Sequence, residues 1–445
     1  MLQPVTETFQ QDIEGKGPEV PPVYRTPAGP SLAEMEPFTK GQPFDYYAKL
    51  RAQAPVAWFD VPKGQGFYAI TRYDDIKHIE LNPQVFSSQR GGINMTYGNE
   101  STPNFKRLLG ASLNTLICLD RPYHIEFRMQ HRDFFTPQFV AELKKKVEVK
   151  VDQLCDDLER QGPVVDFVKV FSEQLPLYTL SELLGIPERD RPNIVRWMHY
   201  LEATLELAGK YQRDEKISFF YFLRFMWNIN AMFRYGEKIL KKKRKNPTDD
   251  LLSRIATAKL DGKELSQEYL DGAWLLIIFA GNDTTRNSLS GALRLFKEFP
   301  EQKQKLIDNP ENIKKAIPEI LRMVSPVIHM RRTLQEDTEI NGQPMKEGEK
   351  VMLFYAAGNR DEAVFENPDV FDIDRPNAGD HIAFGHGPHV CLGQRIAMMQ
   401  LEVALTKLLE RFPNMEWTGK QTISANNFVS AISMLEVDLG RPAGR

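Results

Sequence analysis

The sequence predicts a mainly α-helical fold with small β-sheets near its two ends. Apolar residues recur with helical spacing from Pro122 to Gly262, and a long helix is predicted from Ser266 to about Phe299. Alternating stretches on either side predict strands: VAWFD and GFYAITR flank the turn VPKGQG, and Asn341-Gly342 marks a second hairpin. No internal repeat is visible. A single fold built mostly from helices is therefore expected.

The other elements follow from local signals in chain order. A short helix is predicted from about Glu36 to Leu50, and the stretch from Gly91 to Leu116, which has no clear period, predicts a long functional loop. The helical pattern includes DLLSRIATAKLDG at 250–262, and a later helix ends before Pro326. A helix from about Leu392 to Phe412 and a strand-like tail complete the chain.

Composition limits the class of protein. The 445 residues are 42% hydrophobic and 26% charged, and the net charge is -3, so neither nucleic-acid binding nor attachment to an anionic membrane is expected. Residues 1–35 lack the apolar core of a signal peptide and predict a flexible N-terminal arm, followed by one catalytic domain at 36–445. The longest apolar run, at 273–280, is too short to span a bilayer. With few cysteines, a cytoplasmic protein and by default a monomer are expected.

The segment FAGNDTTRNS at 279–288 weakens the long helix at its centre. Gly281 and Asn282 are poor helix formers, and the threonines can bond backbone carbonyls. Such a distortion often has a function. Two interpretations stay open from this segment alone. Asp283 and Thr284 form an acid–hydroxyl pair that passes protons to a group lying over the helix, or the segment is a Ser/Thr-rich kink with a solvated aspartate.

Two further segments are ambiguous when each is taken alone. In PEILR, Glu319 and Arg322 share one helical face, which is also the pattern of an ordinary surface ion pair. In HIAFGHGPHVCLGQRIA, at 381–397, Cys391 lies among glycines and histidines just before a helix. A disulfide is not expected, because Cys118 and Cys155 fall in regions predicted to be core. No C-x-x-C occurs, but nearby histidines leave a zinc site open.

The three segments taken in order resemble the cytochrome P450 family. A-G-x-D-T-T is followed by E-x-x-R and then by F-G-x-G-x-H-x-C-x-G. The last motif is formed by Phe384, Gly385, Gly387, His389, Cys391 and Gly393. The resemblance covers nearly the whole chain and implies the cytochrome P450 fold, a b-type haem with the Cys391 thiolate as axial ligand, and oxygen-dependent monooxygenase activity. A zinc site would explain neither the distant motifs nor their order.

The resemblance also implies roles for individual residues. Residues expected at the haem are His124 and Arg128 from DRPYHIEFR, Arg332 from HMRRT, His381 and His389 near the propionates, and Phe384 and Gly385 around the sulfur. Glu319, Arg322 and Arg375 are expected to form a structural network. Asp283 and Thr284 would deliver protons for the reaction with O2, a pair that peroxide-using relatives typically replace. Thr285 is expected to be a packing neighbour.

The thiolate has a physical rationale. A cysteine ligand pushes electron density onto the iron and favours O–O cleavage. Glycines allow the backbone to turn tightly beneath a porphyrin, and backbone N–H groups at the following helix can stabilise the sulfur charge.

The expected substrate is small to medium in size and hydrophobic. The candidate pocket residues, nearly all apolar, are Leu276, Phe279, Ala280, Val327, Ile328, Phe428 and Val429. The resemblance favours an alkane, fatty-acid or terpene-like substrate, with a sterol or steroid as the alternative. The aromatic segment 217–235 is either a buried helix or a lipid-contacting lid.

Electrons are expected from outside the chain, because no flavin or iron–sulfur module is fused to it. The resemblance implies a ferredoxin and a ferredoxin reductase as partners. Candidate docking cations are Arg132, Lys144, Lys145, Lys146 and Arg395, each of which could equally be an ordinary solvated residue. Two rivals are a haem-thiolate sensor that does not turn over and a catalytically silent structural relative. The acid–hydroxyl pair argues against the sensor, which needs no proton relay.

Overall fold

The computed structural model describes residues 17–61, 64–94, 106–212 and 215–440. The helices, in chain order, are α1 (Phe44–Gln53), α2 (Tyr73–Leu81), α3 (Lys106–Leu113), α4 (Tyr123–His131), α5 (Pro137–Gln161), α6 (Gln174–Leu184), α7 (Arg191–Gln212), α8 (Phe219–Lys245), α9 (Leu251–Thr257), α10 (Gln267–Ala280), α11 (Asp283–Glu298), α12 (Pro300–Asp308), α13 (Ile313–Val324), α14 (Tyr355–Gly358) and α15 (Gln394–Arg411). The strands are β1 (Val56–Val61), β2 (Gly64–Ile70), β3 (Phe86–Ser87), β4 (Val164–Asp166), β5 (Lys259–Leu260), β6 (Lys263–Glu264), β7 (His329–Leu334), β8 (Thr338–Ile340), β9 (Gln343–Met345), β10 (Lys350–Phe354), β11 (Glu416–Ile423) and β12 (Ile432–Asp438). The prediction of a mainly α fold with small sheets is confirmed.

The sheets are small, as expected. Five strands pair in the order β1-β2-β10-β7-β3, and three pair in the order β11-β12-β4. The predicted hairpins are present: β1 pairs antiparallel with β2, and β8 with β9. Asn341 (φ 50°) and Gly342 (φ 75°) occupy the left-handed region, which is the geometry that an Asn-Gly hairpin turn requires.

The helical core is built from amphipathic faces. In α5, Thr136 caps the helix through a hydrogen bond from the Phe139 N–H at 3.4 Å, and Pro137 occupies the first turn, where its missing N–H has no cost. The buried residues recur every three or four positions: Leu143, Val147, Val151, Leu154 and Leu158. This face packs on α15, and each fully buried apolar side chain contributes roughly 1.5–3 kcal/mol.

The central helix is interrupted. The prediction of one helix from Ser266 to Phe299 is wrong, because α10 ends at Ala280 and α11 begins at Asp283. The interruption lies at Gly281 and Asn282, where the weakness was predicted. A Cβ on Gly281 would lie 3.2 Å from Leu180 Cδ1, so α6 packs closely against this point.

Three local predictions need correction. The first helix begins at Phe44, after Pro43, and Glu36–Phe38 form only a 3-10 turn. Segment 250–262 is a short helix, α9, followed by a β5–β6 hairpin whose turn is Asp261-Gly262, a favoured hairpin dipeptide. The predicted loop from Gly91 to Leu116 contains α3, while positions 95–105 lie outside the described residues.

The described part of the predicted N-terminal arm contacts the body of the protein. The Glu19 N–H donates to Glu349 Oε1 at 3.0 Å, Val23 N–H to Gln343 Oε1 at 2.6 Å, and Leu32 is buried. The division at residue 35 stays a prediction. Among the described residues, no helix is both long and apolar enough to cross a membrane.

Helix α8 shows features of both interpretations of segment 217–235. Phe225 and Phe233 are fully buried against the core, whereas Phe220 and Trp227 are 80% and 59% exposed. The helix therefore packs along one face and presents an aromatic face outward.

Candidate active site

A cavity of about 310 Å³ lies between α10 and α11 on one side and the segment before α15 on the other. The Cys391 side chain lines one wall, and Leu276, Ala280, Gly281 and Thr284 line the opposite wall. The two motifs that are far apart in sequence therefore face each other across one space.

Backbone constraints hold the Cys391 loop in place. The Cys391 N–H donates to the Phe384 carbonyl at 2.9 Å and closes the loop. Gly387 has φ +64°, and a Cβ there would lie 2.7 Å from the Glu80 carbonyl oxygen, so only glycine fits without displacing α2. Gly385, at φ +72°, makes the same kind of turn. These glycines bring the loop close under the cavity.

The groups around the thiol are those that stabilise a thiolate. Burial raises the pKa of the Cys391 thiol, while hydrogen bonds from the Gly393 and Gln394 backbone N–H groups and the charge of Arg128 act to lower it. The N-terminus of α15 supplies those two N–H groups, as helix ends do for anions. The other cysteines, Cys118 and Cys155, are buried and free.

Four nitrogen side chains converge at the same edge of the cavity. His124, Arg128, Arg332 and His389 all line it, and the His124 and His389 rings stack with centroids 4.0 Å apart. Burial lowers the pKa of His124 to about 4 and that of His389 well below its usual value. Nδ1 of each ring is buried without a hydrogen-bond partner among the described residues. Unpaired donors beside two arginines fit anionic groups such as haem propionates, so the residues present suit the cofactor.

Phe384 and His381 were both predicted to contact the cofactor, but only Phe384 lies at the cavity. Phe384 lines the cavity beside Cys391. His381 does not line it: the His381 ring lies 5.6 Å from the Phe384 ring, and its Nδ1 accepts a hydrogen bond from the Ala383 N–H at 3.2 Å. Burial lowers the pKa of His381 to about 4. The structure therefore places His381 behind the loop rather than at the cavity edge.

Glu80 is a site residue that the sequence analysis missed. Its Oε1 accepts a hydrogen bond from the Tyr355 hydroxyl at 2.6 Å and lies 3.4 Å from Arg332 Nη2. Burial raises the pKa of Glu80 to about 7, partly offset by Arg332 and Tyr355. The signal was available, since Glu80 is four residues after the buried Ile76 and so falls on the apolar face of α2.

The acid–hydroxyl pair is divided between the cavity and the interior. Thr284 lines the cavity, and its hydroxyl donates to the Ala280 carbonyl at 3.2 Å. Asp283 is buried behind it, which raises the pKa of its carboxyl well above the usual value. The interpretation of a kink with a solvated aspartate is therefore wrong, because Asp283 is 5% exposed.

The predicted substrate pocket is only partly correct. Leu276, Ala280 and Val327 line the cavity. Phe279, Phe428 and Val429 do not line it but pack in an adjoining cluster, in which the Phe279 and Phe428 rings stack at 6.1 Å. Ile328 also lies outside the lining and packs in the core beside the first sheet.

The pocket errors have geometric reasons. Alternate positions in extended chain point to opposite sides, so Val327 faces the cavity and Ile328 the core. Two residues of α6 that line the cavity, Leu180 and Leu183, were not predicted.

The predicted structural network forms as expected. Arg322 Nε and Nη2 donate to Glu319 Oε2 and Oε1 at 2.7 and 2.8 Å, and Arg375 Nε donates to Glu319 Oε1 at 2.9 Å. Burial alone would raise the pKa of Glu319, but hydrogen bonds from both arginines outweigh it and hold the pKa below its usual value. Since Glu319 and Arg322 are fully buried, the interpretation of a surface ion pair is wrong.

The Cys391 thiol faces a chamber, and the two arginines at the edge of this chamber, Arg128 and Arg332, can bind the carboxylates of an anionic porphyrin. This arrangement is the one that haem-thiolate enzymes require. No group of three or more metal-ligating side chains occurs in the described ranges, so they offer no zinc site. The family model of cytochrome P450 matches residues 96–436, and the chain belongs to this family. Cytochromes P450 carry haem whose iron is bound by a cysteine thiolate, and this chain is a P450 monooxygenase.

Individual relatives agree with this class. The chain is 33% identical over 415 residues to linalool 8-monooxygenase of Pseudomonas putida, covering 92% of this chain and 98% of that one. It is 32% identical over 401 residues to the methyl-branched lipid omega-hydroxylase of Mycobacterium tuberculosis, covering 88% and 90%. Among solved structures, Mycobacterium marinum cytochrome P450 CYP268A2 in complex with pseudoionone superposes with a TM-score of 0.82 at 30% identity, covering 94% of this chain and 99% of that chain.

Proposed function

We propose that this monooxygenase hydroxylates a neutral, apolar substrate of small to medium size, of the terpene or alkane type, with O2 and electrons from a ferredoxin. The observation that carries the proposal is the division of the cavity. Among the described residues, the cationic side chains that line the cavity lie at the edge near Cys391, whereas Leu276, Val327 and Met330 give the opposite part an apolar wall. A substrate there is oriented by packing rather than by an ion pair.

The relatives support the same substrate class. The names of two relatives refer to linalool and to methyl-branched lipids, and one solved relative contains pseudoionone. A fatty-acid carboxylate fits the part of the cavity opposite Cys391 less well, because no lysine or arginine among the described residues lines that part. A neutral chain or terpenoid is therefore favoured over a fatty acid.

The haem would be held by a defined set of residues. Cys391 would bind the haem iron through its thiolate, and Arg128, Arg332, His124 and His389 would hold the haem carboxylates at the cavity edge. Haem with a thiolate ligand supplies oxygen activation, since the thiolate favours O–O cleavage. The backbone N–H groups of Gly393 and Gln394 hold the sulfur charge. His381 contributes indirectly by packing against Phe384.

On the opposite wall, Asp283 and Thr284 supply protons. Burial raises the pKa of the Asp283 carboxyl well above its usual value, which favours the protonated form that a proton donor needs. Thr284, the next residue along α11, lines the cavity, and its hydroxyl can donate from Oγ1 into the chamber once it releases the Ala280 carbonyl. Ala280 and Gly281 present no long side chain there and leave room for a small molecule.

The ferredoxin would dock on the face near the Cys391 loop. Arg395, in the first turn of α15, is exposed and reaches the Phe135 carbonyl at 3.3 Å, beside the exposed Arg132. The candidate lysines are already engaged, since Lys144 pairs with Glu402 at 2.9 Å and Lys146 with Glu182 at 2.9 Å. Arg132, whose only ion pair among the described residues is a long one of 3.9 Å to Asp133, and Arg395 are therefore the stronger candidates for an acidic partner.

The proposal is tested by optical titration of the ferric protein with linalool, a medium-chain alkane, a fatty acid and a steroid enone. We expect the terpene alcohol or the alkane to shift the Soret band from low to high spin at micromolar concentration, and turnover with a surrogate ferredoxin and reductase. A shift with the steroid alone would overturn the substrate class. Binding without turnover would favour a sensor or a silent relative.

A further inference from the structure

A buried charged cluster lies behind the cavity wall and joins α7 to α11. Arg286 Nη2 is 2.9 Å from Glu202 Oε1 and 3.5 Å from Asp283 Oδ1. The Arg286 and Asp283 side chains are 3% and 7% exposed, whereas Glu202 is 20% exposed. One guanidinium thus contacts two carboxyl groups, one sealed inside and one that reaches solvent.

The charges of this cluster do not balance if both carboxyls are ionised. One buried arginine can neutralise only one carboxylate, and a second buried charge without a partner is costly. The shorter distance to Glu202 makes that carboxylate the partner of Arg286 at rest. The remaining carboxyl, Asp283, then keeps its proton, in agreement with the rise in its pKa that burial causes.

The outer end of the cluster meets a further titratable group. His199, one turn before Glu202 on α7, has its Nε2 2.7 Å from Oε1 of Glu173, and its side chain is 52% exposed. The hydrogen bond with Glu173 raises the pKa of His199 above its usual value. The charged groups that face the cluster are therefore His199, Glu202, Glu173, Arg286 and Asp283.

We propose that Glu202 re-protonates Asp283 from solvent, and that Arg286 is the positioning residue that pairs with whichever of the two carboxyls is ionised. The inference rests on the proposed function, in which Asp283 gives its proton inward through Thr284. The Asp283 carboxylate then pairs with Arg286, and the ion pair between Arg286 and Glu202 breaks. Glu202 accepts a proton from solvent, directly or by way of His199, and transfers it to Asp283. One proton enters for each proton delivered, and no electrons move.

The first test measures the carboxyl groups themselves and does not depend on turnover. Infrared spectra of the wild type at pH 7 should contain the carbonyl stretch of a protonated carboxylic acid. The Asp283→Asn variant should lose the Asp283 component of this absorption, which is seen as a negative band in the difference spectrum against wild type, and Glu202→Gln should shift that component. Glu80, whose pKa is about 7, absorbs in the same region in every variant and cancels in the difference spectra. The matched control Glu188→Gln, at an exposed position just before α7, should leave it unchanged. A band that is the same in Glu202→Gln and in wild type would contradict the proposal.

The second test measures proton supply during turnover. We expect Glu202→Gln to lower hydroxylation by about 10²-fold, the lower range for positioned proton transfer, and to increase the solvent deuterium isotope effect. The substrate-induced Soret shift should keep its midpoint, and Glu202→Asp should recover most of the rate. Unchanged turnover and isotope effect in Glu202→Gln would overturn the relay. If the wild type itself did not hydroxylate, the proposed function would fail, while the infrared test would still decide the coupling of the two carboxyls.

Discussion

Two buried ion clusters in this protein have opposite compositions. Around Glu319, two arginines surround one carboxylate, whereas around Arg286 two carboxyls surround one arginine. The first cluster lowers the pKa of its carboxyl and the second raises the pKa of Asp283. The comparison shows that the ratio of cations to acids decides whether a buried carboxyl favours its ionised form or its protonated form.

The clusters also differ in how completely their hydrogen bonds are made. Arg322 donates to the Asn359, Pro368 and Val370 carbonyls in addition to Glu319. Arg286 Nε, by contrast, has no hydrogen-bond partner among the described residues. A saturated cluster fixes the chain around it, and an unsaturated one can exchange partners. We therefore expect the two clusters to respond differently to substitution and to pH.

The largest effect is expected from Glu319→Gln. The substitution leaves two buried guanidinium groups without their carboxylate, so the free energy of unfolding should fall by about 3–5 kcal/mol. Denaturant unfolding followed by circular dichroism measures the loss. The control Asp374→Asn removes a carboxylate that pairs with two exposed lysines and should cost at most about 1 kcal/mol. Equal losses in both variants would contradict the structural role of Glu319.

Asp283→Asn should affect activity more than stability. The amide cannot give up a proton, so hydroxylation should fall roughly 10²-fold or more while substrate binding is kept. Product formation per NADH consumed, together with the substrate titration, separates the two effects. Glu298→Gln, at the far end of the same helix, is the matched control and should behave like the wild type. Retained turnover in Asp283→Asn would exclude it as the acid.

The two clusters should give the free energy of unfolding opposite dependences on pH. The pKa of Glu319 is depressed below its ordinary 4.5, so its contribution is present above pH 4.5 and lost as pH falls through the folded value. The pKa of Asp283 is raised above 3.8, so the native state holds a proton that the unfolded chain releases. Its contribution is present below pH 3.8 and is lost as pH rises, by up to about 1.4 kcal/mol per pH unit.

The free energy of unfolding of each variant, measured as a function of pH, checks the direction of these two dependences. Between pH 4 and 7, Asp283→Asn should show a flatter decline with rising pH than the wild type. Below pH 4.5, Glu319→Gln should lose less stability than the wild type on acidification. Identical slopes in all three proteins would mean that neither pKa differs between the folded and unfolded states.

The smallest effect is expected from surface charges, which belong to neither cluster. Arg132→Glu and Arg395→Glu should raise the KM for an acidic ferredoxin several-fold at low salt, with the difference shrinking as salt is added. Lys145→Glu is the control, because Lys145 already pairs with Glu142 one helical turn away. If Lys145→Glu raised KM as much as the arginine variants, the proposed docking face would be wrong.

The sequence predicted one side of the cavity better than the other. The Cys391 loop depends on glycines, a cysteine and a helix start that are adjacent in the chain, and its geometry follows from them. Glu319, Arg322 and Arg375 were also predicted, because their motifs carry the resemblance. Glu202 and Glu80 were missed because they reach the site from α7 and α2 across long sequence separations.

The cavity wall opposite Cys391 was predicted only in part, because its lining depends on how helices are rotated and packed together. Leu276 and Ala280 share the face of α10 that lines the cavity, whereas Phe279 lies on a different side of the same helix and packs against Phe428. Residues of α6 such as Leu180 approach through tertiary packing, which a local pattern does not show. Helix periodicity identified the elements, but their relative rotation decided which side chains line the chamber.

The central claim, that Cys391 holds the haem of a P450 monooxygenase, is tested most directly by the spectrum of the ferrous–CO complex. We predict the long-wavelength Soret band of thiolate-ligated haem in the wild type and in the controls Cys118→Ser and Cys155→Ser, whose thiols are buried in the core. Cys391→Ser should lack that band. A thiolate-type spectrum in Cys391→Ser would contradict the account.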